Sequence, residues 1–303
     1  MGVRESLSSE FLDAGVMSAL PDLEMQARYL VSGFLSGLHR SPLRGGSSEF
    51  KEFRPYLPGD EMKDVDWKVF ARTGKLHIRL REEDTDMSCY LLLDRSASMD
   101  FKGPRGSMRK WDYARAIAAA FIHFLHKQRD SVSLAFAGAG LEEFVKSASR
   151  ASHMHNLMAK LHCNAAAMSS GLPAAIETLA GLVRRRSIAI VISDFYAEPS
   201  ELYSAASKLR RRNCELIFIQ TLDPRELDFD FDEPLLLKEL ESQAVMPVSP
   251  DIIRDAYKSR VAAHLAAVED AARSLGGDYA LFRSDEVPLQ ALGFYLRRRE
   301  LMS

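Results

Sequence analysis

Apolar and polar positions change rhythm along this chain. From Met87 onward, short continuously apolar runs alternate with segments of helical period. The runs SCYLLLD, SVSLAFA, SIAIVIS, CELIFIQ and DYALFR predict strands at 88–94, 131–137, 187–193, 214–220 and 278–283. Runs without a polar face suit strands covered by helices on both sides of a sheet. Between them apolar residues recur every three or four positions, which predicts helices at 108–127, 151–161, 170–184, 199–211, 250–274 and 286–299. A further strand at 141–146 follows Ala139-Gly140 and reads as the return of a hairpin. The fold class that follows is α/β, a doubly wound, mostly parallel sheet with one antiparallel edge strand.

Ahead of Met87 the rhythm differs. Residues 1–45 form an N-terminal helical segment, with Pro21 and Asp22 opening its second helix. The stretch RSPLRGGSSEF then breaks the pattern. Over 46–86 aromatics, prolines and charges mix without helical period, and EFKEFRPYL and GKLHIRLREE alternate as short strands around a helical turn in DEMKDVDWKVFAR. This is a β-rich accessory segment, and the organisation expected is 1–45, 46–86 and 87–303.

Charge and composition narrow the classes of function. A formal net charge of −2 over 303 residues gives no support to a nucleic-acid binder, which should carry a basic face, so no nucleic-acid partner is expected. The runs Arg184-Arg185-Arg186 and Arg210-Arg211-Arg212 fall at predicted helix ends, where cations complement the helix dipole. No apolar run approaches the ~20 residues that span a bilayer, and no signal peptide precedes the first helix, so no membrane span and a cytoplasmic location are expected. Cys89, Cys163 and Cys214 form neither a metal spacing nor an even disulfide set. The histidines show no ligand spacing, and no phosphate-cradling glycine loop follows a strand.

Chemistry concentrates where strands end. In LLLDRSASM an apolar run stops at Asp94, and Ser96 and Ser98 follow at alternate positions. One carboxylate and two hydroxyls around one point suit a small hard cation such as Mg2+, which takes six oxygens at about 2.0–2.1 Å. Two other loops at the same edge offer oxygen donors: Ser170, ahead of the helix at 170–184, and Asp194, after the strand at 187–193. Each alone also reads as a helix cap. Together Asp94, Ser96, Ser98, Ser170 and Asp194 form a candidate metal set, with Mg2+ preferred and Mn2+ or Ca2+ as alternatives.

These residues carry a family resemblance. The Asp-x-Ser-x-Ser turn, the hydroxyl loop and the later Ser-Asp loop resemble the metal-ion-dependent adhesion site of von Willebrand factor A domains. That family usually has Thr where Ser170 stands. The block EFRPYLPGDEMKDVDWKVFARTGKLHIR, residues 52–79, resembles the segment ahead of the A-type domain in the domain of unknown function 58 family. The resemblance implies a von Willebrand factor A-like fold and a partnership with a MoxR-type AAA+ ATPase. Many members carry membrane segments ahead of this block, so the chain resembles a soluble version. The block also has a plain reading, in which Asp60, Asp64 and Asp66 cap turns or pair with Arg54, Lys68 and Arg72.

Three functions follow as expectations. The first is a non-catalytic binding module whose Mg2+, held by hydroxyls and only two carboxylates, captures an acidic side chain of an unidentified client protein. Asp94 anchors the ion partly through water, Ser96 and Ser98 coordinate directly, and Asp194 acts through water. The second is a Mg2+-dependent phosphatase or phosphotransferase with Asp94 as nucleophile. Such chemistry wants a general acid two residues later, where Ser96 stands. The third is a scaffold whose metal site is vestigial. Ser193, beside Asp194, has no histidine placed by the sequence to activate it as a nucleophile.

Overall fold

A computed structural model describes residues 53–55, 67–79, 88–163, 171–231, 235–238 and 245–302. The chain divides into one unit of residues 42–86 and another of 1–41 with 87–303. In the smaller unit, strand β1 (Phe53–Pro55) and strand β2 (His77–Arg79) pair antiparallel, with helix α1 (Trp67–Thr73) between them in sequence. Helix α1 stops at Gly74, whose φ of 68° and N–H bond to the Phe70 carbonyl close the last turn as a left-handed cap. The helices expected within 1–45 lie outside the described residues.

The larger unit runs β3 (Ser88–Asp94), a 3-10 turn (Ala97–Asp100), α2 (Lys110–Lys127), β4 (Ser131–Ala137), β5 (Leu141–Ala148), α3 (Ala151–Cys163), α4 (Leu172–Leu182) and β6 (Ser187–Ser193). It continues with α5 (Pro199–Arg211), β7 (Cys214–Leu222), α6 (Pro224–Asp228), a hairpin of β8 (Leu235–Lys238) and β9 (Val245–Val248), α7 (Pro250–Arg273), β10 (Asp278–Arg283) and α8 (Pro288–Met302). The main sheet has six strands in the order β10-β7-β6-β3-β4-β5. Every neighbouring pair is parallel except β4 with β5, which are antiparallel.

Side-chain alternation explains the two helical layers. On β3, Cys89, Leu91 and Leu93 enter one core with Ile190, Ile192, Ile217 and Ile219, covered by α2, α3 and α8. Tyr90 and Leu92 enter the opposite core with Val191, Leu216 and Phe218, under α4, α5 and α7. Both faces of β3 are therefore dry, and full burial of each such aliphatic side chain contributes about 1.5–3 kcal/mol. Alanines at 114, 118, 119 and 120 along α2 let that helix lie close to the sheet.

The strand order sets the position of the site. After β3 the chain enters α2 on the first face; after β6 it enters α5 on the second. The two strands are neighbours, so their carboxyl ends diverge into a crevice, the place where open α/β sheets bind ligands. Asp94 ends β3, and Asp194 follows the last residue of β6.

Some expectations need correction. The helix expected at 170–184 begins at Leu172 and ends at Leu182, so Arg184, Arg185 and Arg186 lie in the connection to β6 and not on a helix end. Pro173 in the first turn and Gly171 as cap place the start later than the pattern suggests. Helix α6, the β8–β9 hairpin and the 3-10 turn carry too few residues for periodicity to reveal them.

Candidate metal-binding site at the sheet edge

The turn after β3 folds on itself. Ser96 N donates to Asp94 Oδ1 at 2.9 Å, the bond expected when an Asp closes a turn two residues on. This leaves the Ser96 and Ser98 hydroxyls 3.0 Å apart and hydrogen-bonded to each other. Ser96 is buried and Ser98 half-buried, so the pair opens outward at Ser98. Arg95 N reaches the Ala137 carbonyl at 3.0 Å, pinning the turn to the end of β4. The Arg95 side chain turns away to Glu142, and this ion pair holds the Glu142 carboxyl below its usual range.

Asp94 itself is 3% exposed. Its Oδ2 accepts the Ser193 hydroxyl at 2.6 Å, and Ser193 Oγ accepts Phe195 N at 2.7 Å. Among the described residues, no Lys, Arg or His side chain pairs with Asp94. Burial first, and the Asp194 charge second, raise its carboxyl from 3.8 to about 6. A carboxylate in that state gains from a nearby cation.

The loop after β6 is held at three points. Gln220 Nε2 donates to the Asp194 carbonyl at 2.7 Å, and Tyr279 Oη donates to Gln220 Oε1 at 2.8 Å. His264 Nε2 donates to the Phe195 carbonyl at 3.0 Å. Phe195 has a left-handed backbone with φ of 56°, stabilised by a wholly buried ring that lies tilted against Phe218, centroids 4.6 Å apart.

Asp194 has a partner that the sequence does not reveal. Lys110 Nζ, at the first position of α2, lies 2.8 Å from Asp194 Oδ2 and 2.6 Å from Glu226 Oε1. Burial alone would push the Lys110 ammonium down, but the Asp194 and Glu226 carboxylates hold it above its ordinary range. Burial outweighs Lys110 at Glu226, whose carboxyl is raised. Glu226 Oε2 accepts Asp223 N at 2.8 Å, completing a capping box on α6. The place of Lys110 in the first turn of a helix, where a cation opposes the dipole, does not by itself name a partner.

The structure thus brings Asp94, Ser96, Ser98 and Asp194 to the same edge of the sheet, with Ser193, Lys110 and Glu226 beside them. Ser170 lies outside the described residues. Its neighbour Gly171 is at the same edge, packed so tightly that a Cβ there would collide with the Ala139 carbonyl. An open groove lined by Gly171, Pro173, Ala174, Glu177, Tyr196 and Glu201 runs from there past the Asp194 loop.

The residues present fit a small divalent ion. Two ligand oxygens at right angles around Mg2+ lie about 2.9 Å apart, which matches the Ser96–Ser98 spacing. Asp94 supplies negative charge that no cationic side chain among the described residues pairs with. Asp194 is shared with Lys110 and retains further lone pairs. Among the described residues, no three His, Cys, Asp or Glu side chains converge as a metal-binding group, so the donor set rests on hydroxyls and two carboxylates.

This architecture is a doubly wound, mostly parallel sheet with polar side chains gathered at its switch point. Residues 52–267 match the model of the family described as protein of unknown function DUF58, and the chain belongs to that family. Uncharacterized protein Rv1480 of Mycobacterium tuberculosis is 30% identical over 283 residues, covering 92% of this chain and 88% of that one. Uncharacterized protein Mb1516 of Mycobacterium bovis shares the same identity and coverage. Among solved structures, the conserved hypothetical protein BatB from Bacteroides thetaiotaomicron is similar over 70% of this chain and 98% of its own, at 12% identity and a TM-score of 0.48. The SpRpn10 VWA domain is similar over 68% of this chain and 93% of its own, at 10% identity and a TM-score of 0.40. No helix among the described residues is long and apolar enough to cross a membrane.

Proposed function

We propose that this protein is a non-catalytic binding module that captures an acidic side chain of a client protein through a divalent ion, Mg2+ by preference, at the end of β3. One observation carries the reading: Asp94 is a buried carboxylate without a cationic partner among the described residues, beside a hydroxyl pair at ligand spacing. Ser96 and Ser98 would hold the ion directly, Asp94 and Asp194 would contribute charge and orient its waters, and Ser170 would add a hydroxyl. An ion held by so few carboxylates keeps its attraction for another anionic oxygen. Asp94 is kept in place by the Ser193 hydroxyl and the Ser96 amide, one on each carboxylate oxygen, an arrangement suited to anchoring more than to attack on a substrate.

The resemblance of residues 52–79 supports a MoxR-type AAA+ ATPase as the second partner, with this protein linking ATPase and client in the cytoplasm. The test is a pull-down from native lysate with wild type and Asp94→Ala, each in Mg2+ and in EDTA. The expected result is one client band lost under both perturbations, with the ATPase identified in the wild-type eluate. A client retained by Asp94→Ala in EDTA would refute metal-dependent capture.

A further inference from the structure

We propose that Lys110 is a tethered counter-cation that competes with the divalent ion for Asp194 and so sets how tightly the crevice holds metal. The proposal rests on the metal-binding reading above and adds a residue that reading does not use. Lys110 is wholly buried, a placement that costs several kcal/mol unless the ammonium is fully paired. Its ammonium donates to Asp194 Oδ2 and Glu226 Oε1, and the Tyr196 ring centroid lies 5.1 Å from Nζ.

Charge explains what such a lysine does. Asp94, Asp194 and Glu226 place three carboxylates at the ends of β3, β6 and β7, and Lys110 is the ammonium among them. Together these four groups carry two negative charges, so the cluster around Lys110 stays attractive to a cation. Without Lys110 the crevice would attract the ion more strongly, and Asp194 would be free to turn both oxygens toward it. With Lys110, ion binding is weak by itself and gains from an incoming carboxylate. Ion occupancy and client capture are thereby coupled, each strengthening the other.

The experiment measures Mn2+ binding to the full chain by calorimetry and by the loss of the free-ion electron paramagnetic resonance signal. Wild type, Asp94→Ala, Lys110→Met and the double variant Lys110→Met with Glu226→Gln are compared. Lys110→Met is expected to bind at least ~10-fold more tightly than wild type, because a nearby like charge is removed in a low-dielectric site. The double variant keeps the net charge of the crevice and is expected to bind several-fold more tightly, since Asp194 is released. If Lys110→Met fails to fold, the double variant, which removes a cation together with one of its anions, decides the matter. Binding in both Lys110 variants equal to or weaker than wild type, with Asp94→Ala still abolishing it, would overturn the role of Lys110 and leave the metal site standing. Absence of Mn2+ binding in all four chains would overturn both.

Discussion

The Ser193 hydroxyl donates to Asp94 Oδ2 across 2.6 Å, joining two parallel strands by side chains just where their backbone pairing ends at Leu93 and Ile192. Ser193 is thus a strut for the anchoring carboxylate. Ser193→Ala removes that donor and also the acceptor of Phe195 N. Each buried group left unpaired costs about 1–3 kcal/mol, so with two groups affected urea unfolding should show a loss of about 2–6 kcal/mol, accompanied by weaker Mn2+ binding.

Asp94 makes stability depend on pH. Its carboxyl titrates at about 6 in the fold against 3.8 as an ordinary aspartate. Between those values the folded chain holds more protons than the unfolded one, so stability falls as pH rises through the window. By about pH 7 the metal-free protein has lost on the order of 3 kcal/mol. Asp94→Asn should therefore be more stable than wild type in EDTA at about pH 7, with the advantage vanishing toward about pH 4. Urea titrations at the two pH values would refute this if the difference stayed constant.

Mg2+ should reverse that penalty. An ion that binds only the folded chain stabilises it by about 2.7 kcal/mol at a hundred times its Kd. Thermal melts of wild type should shift upward with Mg2+, and those of Asp94→Ala should not.

Asp223 is a third buried carboxylate of the edge, after Asp94 and Asp194, and its role is architectural. It accepts from Gly103 N at 2.9 Å, Arg225 N at 2.9 Å and Ser284 Oγ at 3.0 Å, tying the loop before α2 to the ends of β7 and β10. At Gly103 and Gly106 the approach is so close that a Cβ would meet the Asp223 carboxylate. Asp223→Ala strands several donors and should cost about 2–4 kcal/mol, with Asp223→Asn milder. Chemical denaturation of the two variants checks the order.

Much of this protein is legible one segment at a time. The parallel strands announce themselves because a strand dry on both faces must be continuously apolar, as in SIAIVIS. Helix ends are less legible: Pro173 and Gly171, not the apolar period, decide where α4 starts. The Asp94–Ser96 turn is readable for a local reason, since its defining bond spans two residues.

What the sequence alone determined is therefore the sheet class, the family and the turn that carries the candidate site. What only the tertiary structure decided is the charge balance of that site. Lys110 meets Asp194 and Glu226 across 84 and 116 residues of chain. A lysine reads as a solvated charge in any local window. Only the packing of α2 against the ends of β6 and β7 removes its water and obliges it to pair, so the chemistry of the crevice is set by burial, a property no short stretch of sequence contains.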